Sequence, residues 1–405
     1  MPSQPFQHPR FPFILLFFFL SASLLAACAS GSVPSVENPT LTSTLYEPTL
    51  FSSHTAPPSL TPTSSSTPSI TPSLTHTSTP SITPTHTRTS TPSATPEPLP
   101  IFTTKELRPG VLPLSYLANT CFYLSQRWAL DASPPGTVVV PVMFHSIYKT
   151  GRNITDPKDI PEDQFQAFVQ YARYLGFETI TTAQLIDFLE HNAPIPPRSM
   201  ILILDDRRPG VVREHFLPVL EENNWSLTLA YIADPNSLQW AMKEVQQLYT
   251  ESGRLDVQSH GYTGQLYITD QTTAEEIRNE IWQSTQALED NFGQRPLAFI
   301  WPGGNFTALA VQIAREGGYR LGFSAYSRGP LMFNWVPQGE LEQAIGDPLM
   351  LLPRAWSNSV NVNLDVALRI SQQAVDSARQ QYAAESAYYR TYCNAELPPL
   401  GSILP

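Results

Sequence analysis

The run "SMILILDD", Ser199 to Asp206, restricts the fold of this chain more than any other stretch. Its apolar residues follow one another without alternation, so a strand made of them has both faces away from water. That is the pattern of a parallel strand covered on each side. The surrounding sequence supplies the covering. "TVVVPVMFHSI" reads as a strand ending at His145, and "PEDQFQAFVQYARYLGF" as a helix with Phe165, Phe168, Val169, Ala172 and Leu175 on one face. "ETITTAQLIDFLEHN" gives a short strand and a Thr-capped helix. The strands "SLTLAYIA", "LDVQSH", "LAFIWPGG", "YRLGFSA" and "PLMLLPRAW" follow, with helices between most of them. Repeated strand–helix alternation predicts an α/β fold with a parallel sheet, either doubly wound or closed as a barrel.

In either arrangement chemistry belongs at the C-terminal ends of the strands. His145, Asp205-Asp206, His260 and Pro302-Gly303-Gly304 all fall at such ends. Neighbouring carboxylates leaving a strand point to different sides, so one can hold a cation while the other takes a proton. An Asp with His260 offers an oxygen and an imidazole suited to zinc or a similar divalent ion. Backbone N–H groups of "WPGGNF" would face a developing oxyanion.

The chain divides into five stretches. Residues 1–27 read as a signal peptide: His8 and Arg10 precede "FPFILLFFFLSASLLAA", which ends at Cys28. "Leu25-Ala26-Ala27-Cys28" resembles the bacterial lipobox, which implies acylation of Cys28 and an anchor on the extracytoplasmic face of the cell membrane; a plain signal peptide or an uncleaved anchor is the alternative. Residues 28–100 repeat a Thr-Pro-Ser unit with no apolar periodicity, and a disordered linker is expected there. Residues 101–136 form an extension, 137–360 the main domain, and 361–405 a C-terminal helix and tail. Cys121 and Cys393 flank the main domain; in an extracytoplasmic protein they would pair as a disulfide, the alternative being two buried thiols. The net charge of −11 and the lack of any Lys/Arg-rich block exclude nucleic acid as the main partner.

Four segments, in order, resemble the polysaccharide deacetylase family (the NodB-homology domain), and especially its biofilm-glycan deacetylase branch. "VPVMFHSI" is similar to that branch's "LMYH" strand, "LILDDRRPG" to "TFDDG", "LDVQSHGYTG" to "SHTxxH" and "FIWPGGNF" to "FAYPYGxY". The resemblance covers about Val138 to Trp356. It implies a distorted (β/α) barrel in which a divalent metal, zinc by preference, hydrolyses N-acetyl groups of a polysaccharide or peptidoglycan-type glycan. By position it implies Asp205 as general base, Asp206 and His260 as metal ligands, the Gly303 N–H as oxyanion donor, and His145 facing the same cleft.

The departures from the family pattern carry as much information. The second histidine of "SHTxxH" corresponds to Gly264, and the late strand that often supplies a histidine has Arg354 in "LLPRAW". Arg207 and Arg208 adjoin the Asp pair. They would either replace a metal's charge there or clamp an anionic group of the substrate. Trp301, Tyr262, Phe306, Trp335 and Trp356 would line a sugar groove or serve as core and rim packing. Two functions are therefore expected: an anchored, metal-dependent deacetylase, or a degenerate relative that binds glycan without hydrolysis. Hydrolysis of another bond by the Asp pair without metal is a third.

Overall fold

The computed structural model describes residues 97–404. The signal-like run, Cys28 and most of the Ser/Thr/Pro tract lie outside the described residues. Seven parallel strands form the centre: β1 (Val138–Phe144), β2 (Arg198–Asp205), β3 (Leu227–Tyr231), β4 (Leu255–Ser259), β5 (Ala298–Ile300), β6 (Leu321–Phe323) and β7 (Ala355–Trp356). They pair in the order β6-β5-β4-β3-β2-β1-β7, and the two-residue strand Glu178–Thr179 adds to β2 off this path. The sheet curls toward closure at Leu352–Trp356. Ala355 and Trp356 pair with β1, while Leu352 bridges to Phe323 of β6. The expected curled α/β architecture is therefore present, as a distorted barrel.

The continuous apolar run explains itself in this setting, since β2 is buried from Ser199 to Asp205. Met200, Leu202 and Leu204 pack outward with Val138, Val140, Val142 and Phe144 beneath the helices. Ile201 and Ile203 point the other way, into an interior cluster with Val139, Ala230, Ile300 and Phe323. This period of two has a consequence at the strand end. Asp205 follows Ile201 and Ile203 on the interior side, so its carboxylate is delivered into the barrel mouth.

The helices surround this sheet. Before β1 stands α1 (Thr120–Arg127); α2 (Glu162–Tyr174) and α3 (Thr182–His191) precede β2. Then come α4 (Gln239–Ser252), α5 (Ala274–Phe292), α6 (Ala308–Glu316) and the 33-residue α7 (Val360–Tyr392). Sequence signals set several of the starts. Thr181 with Gln184 and Thr273 with Glu276 make reciprocal capping boxes at α3 and α5. The stripe Leu364, Ala367, Ile370 and Ala374 of α7 joins the outer core, so this helix packs on the barrel.

Two details differ from the sequence expectation. "PLMLLPRAW" is strand only at Ala355–Trp356, and Pro348–Met350 is a 3-10 turn. Pro348 and Pro353 lack the N–H a longer ladder needs. Leu112–Leu114 also pairs antiparallel with Val336–Gln338, tying the extension to the domain. Cys121 and Cys393 form a disulfide with Cα atoms 5.6 Å apart, joining α1 to the end of α7.

Candidate active site

The mouth of the barrel gathers four of the residues singled out in the sequence. The register of β1 against β2 sets Met143 beside Ile203 and Phe144 beside Leu204, so His145 and Asp205 emerge together. His145 Nε2 lies 3.7 Å from Asp205 Oδ2. On the other side, Asp206 Oδ1 lies 3.9 Å from His260 Nε2. The His260 ring is oriented from behind by a 2.8 Å contact between Nδ1 and the Ile300 carbonyl. A carbonyl oxygen can only accept, so Nδ1 donates there and Nε2 is the nitrogen that faces Asp206. Asp206 itself has φ +71°, a conformation that costs a non-glycine residue about 1–2 kcal/mol, while its N–H still donates to Ala230 O. The reversed backbone turns its carboxylate away from that of Asp205.

Each carboxylate has its own arginine. Asp205 is buried, and its Oδ1 accepts a 2.6 Å hydrogen bond from Arg354, whose side chain is 1% exposed. Arg354 Nε donates to Ser324 O at 2.8 Å, which fixes the guanidinium. Arg354 stands immediately before β7, so the curling of the sheet carries it across the mouth. Asp206 Oδ2 accepts from Arg208 at 2.7 Å, and Arg208 also contacts Ser146 Oγ. Burial pushes the Asp205 carboxyl up, but the charge of Arg354, helped by His260 and His145, outweighs it. The net effect holds Asp205 below the ordinary carboxylate range. Burial lowers His145, against the opposing pull of Asp205 and Asp206, so its imidazole is neutral at neutral pH.

A divalent metal, which the family resemblance implies, has a thin donor set here. His260 and one oxygen of Asp206 face each other, but the other Asp206 oxygen is engaged by Arg208. The position of the family's second histidine is closed as well as empty of donors. Gly264 has φ +66°, and a Cβ there would collide with the Ile232 side chain. Its loop is clamped by buried Glu280, which accepts from the N–H groups of Thr263 (3.0 Å) and Gly264 (2.8 Å). Among the described residues no group of three or more His, Cys, Asp or Glu converges on one point. These residues do not fit a catalytic divalent metal, which needs three protein ligands and an open position.

The remaining sequence candidates fall in different places. Gly303, with φ +63°, is exposed beside an open groove of about 450 Å³ that also touches Tyr326, Arg328, Trp356, Asn358 and Arg108. A Cβ on Gly303 would strike the ring of Tyr267, which lies over it. Trp301, expected as a sugar contact, is wholly buried. Its Nε1 donates to Met350 O and its ring packs edge-on against Phe299. Its place next to β5 on a tightly packed face turns it into core. Arg207 does not join the carboxylates; its guanidinium donates to the carbonyls of Asp234 and Ser237. Tyr262 is half-buried against the outer core, with its N–H held by Glu280 O. Sequence reasoning missed the pairing of Arg354 with Asp205 and the placement of Tyr267. The first had a signal, an arginine at a strand end where a histidine was expected; the second had none.

Comparison with known proteins bears on this arrangement. Residues 192–322 match the sequence model of the family described as polysaccharide deacetylase. No curated protein matches the chain. Among solved structures, the Streptococcus pyogenes deacetylase PplD in complex with acetate is 17% identical, covering 58% of this chain and 99% of its own, with a TM-score of 0.47. IcaB from Ammonifex degensii is 18% identical over 58% of this chain and 98% of its own, with a TM-score of 0.46. The BpsB deacetylase domain from Bordetella bronchiseptica is 17% identical over 55% and 97%, with a TM-score of 0.40. Residues 192–322 are thus similar to a polysaccharide deacetylase domain, and the ordered motifs and the curled parallel sheet around them are in keeping with that similarity.

Proposed function

We propose that this domain binds an N-acetylated glycan at the barrel mouth without metal-dependent hydrolysis, its Asp pair neutralised by arginine. The observation that carries this reading is the double pairing of Asp205 with Arg354 and Asp206 with Arg208, beside a ligand position closed by Ile232. A cation at Asp206 would meet the guanidinium of Arg208 at close range, and like charges repel. The groove next to Gly303 is lined by the aromatic residues Tyr326 and Trp356, suited to contact with sugar rings, with Asn358 and Arg108 as polar neighbours. Titration with chitooligosaccharides tests both halves. Saturable binding is expected, with no acetate released in the presence or absence of added zinc, nickel or cobalt. Replacing Trp356 by Ala removes a contact worth about 1 kcal/mol, a several-fold loss of affinity. Acetate release that Asp205→Asn abolishes would contradict the proposal.

One observation favours a second reading, an active deacetylase. The carbonyl of Ile300 orients His260 as an outer-shell partner orients a metal-ligating imidazole. On that reading Asp206 and His260 would hold a divalent metal, which would supply Lewis-acid chemistry at the acetyl carbonyl. Asp205 would hold the attacking water and take its proton, His145 would line the cleft, and the Gly303 N–H would face the oxyanion.

The same proposal sets the domain on the extracytoplasmic face of a bacterial membrane, tethered through acylated Cys28 and the Ser/Thr/Pro tract. The Cys121–Cys393 disulfide supports it, since such bonds persist in oxidising compartments. Cys28→Ser is expected to move the protein from the membrane to the soluble fraction.

A further inference from the structure

The opposite end of the molecule holds a second cavity, of about 260 Å³. Gly136 and Thr137 line it just before β1 begins, whereas His145 and the carboxylates follow the other ends of the strands. The seven residues of β1 separate the two regions by roughly 20 Å. Most of its walls come from outside residues 192–322: the strap Pro98–Phe102, α1, the turn Met332–Trp335 and α7. The Cys121–Cys393 disulfide joins two of those walls, so the cavity is preformed.

Its chemistry is specific. The rings of Tyr123 and Phe333 stack at 5.7 Å, and Phe102 lies 5.7 Å from Trp335, whose Nε1 donates to Phe102 O. Against these apolar faces stands an ion pair. Arg127 Nη1 donates to Tyr123 Oη at 2.7 Å, and Arg127 Nε lies 3.2 Å from Glu385 Oε2. That Nε is buried without an aligned acceptor, and Glu385 Oε2 also takes a 2.5 Å hydrogen bond from Trp128 Nε1. The Glu385 carboxylate is 3% exposed and the Arg127 side chain 14%. An ion pair so far from water adds little stability over apolar packing, which makes a recognition role the better account of it. A guanidinium carries five N–H donors, more than these partners use. Its charge is already balanced by Glu385, so a ligand carboxylate would bring a second, uncompensated negative charge.

We infer that this cavity binds a small uncharged ring compound carrying an acceptor oxygen, with its ring among the aromatic side chains and its oxygen on Arg127. A cavity of about 150 Å³ admits benzene, so this one has room for a single substituted ring.

Phenol is the probe, with benzoate as its charged counterpart, on the full chain with the disulfide intact. Phenol is expected to raise the melting temperature saturably, with benzoate at least tenfold weaker. Ala374, buried on the α7 wall, gives the blocking variant: Ala374→Leu fills the space and is expected to abolish the phenol effect. In the unsubstituted protein, intermolecular NOEs from phenol to the Tyr123 and Trp335 rings are expected whether or not that variant folds. A phenol shift that does not saturate, NOEs absent from these rings, phenol binding unchanged in a folded Ala374→Leu, or tighter binding of benzoate would each overturn the inference.

Discussion

At the residue scale the decisive contact is between Arg354 and Asp205. Both side chains are almost wholly buried and each is the other's charge partner. Removing one partner leaves an uncompensated charge in the barrel mouth. Arg354→Met is therefore expected to cost about 3–5 kcal/mol, measured by urea denaturation at pH 7. The pair also predicts a pH dependence. The folded Asp205 carboxyl sits below its unfolded value of about 3.9, so between the two values the native state binds fewer protons than the unfolded chain. Its contribution is complete above about pH 4 and is lost as pH drops through the depressed folded value. His145 acts at higher pH with the same sign. Its folded pKa lies below the unfolded value of about 6.5, so stability falls on acidification through that value. Denaturation series from pH 7 to 3 should show both losses, the first absent in Asp205→Asn and the second in His145→Gln.

At the element scale, the strands were more legible than the loops that follow them. "SMILILDD" specifies a strand buried on both faces, and the period of two alone directs Asp205 inward. The helices were legible from their apolar stripes and Thr caps. Arg354 was visible as an oddity, but its target was not, because 149 residues separate it from Asp205 and only the curling of the sheet joins them. Trp301 misled because a strand-end aromatic reads alike whether it faces core or cleft. The loop after β4 shows most clearly what one sequence cannot disclose. Gly264 reads as a missing histidine; in the fold it is a left-handed residue pressed on Ile232 and clamped by Glu280. Gly264→His is therefore expected to destabilise the domain by about 1–3 kcal/mol, measured by denaturation, without creating a metal site.

At the scale of the whole molecule, the described chain joins the stretch that matches the polysaccharide deacetylase model to segments on both sides of it. The extension and α7 are joined by the disulfide, whose two cysteines are 272 residues apart. Closing so long a loop constrains the unfolded chain, and Cys393→Ser is expected to cost about 2–5 kcal/mol in chemical denaturation. These segments supply most of the walls of the second cavity. In the barrel mouth, arginine stands where the family resemblance implies a metal. Metal content after reconstitution of the purified protein with zinc, nickel or cobalt and removal of the excess tests this directly. Well under one equivalent is predicted; one equivalent of bound metal, lost in both Asp206→Asn and His260→Gln, would contradict it.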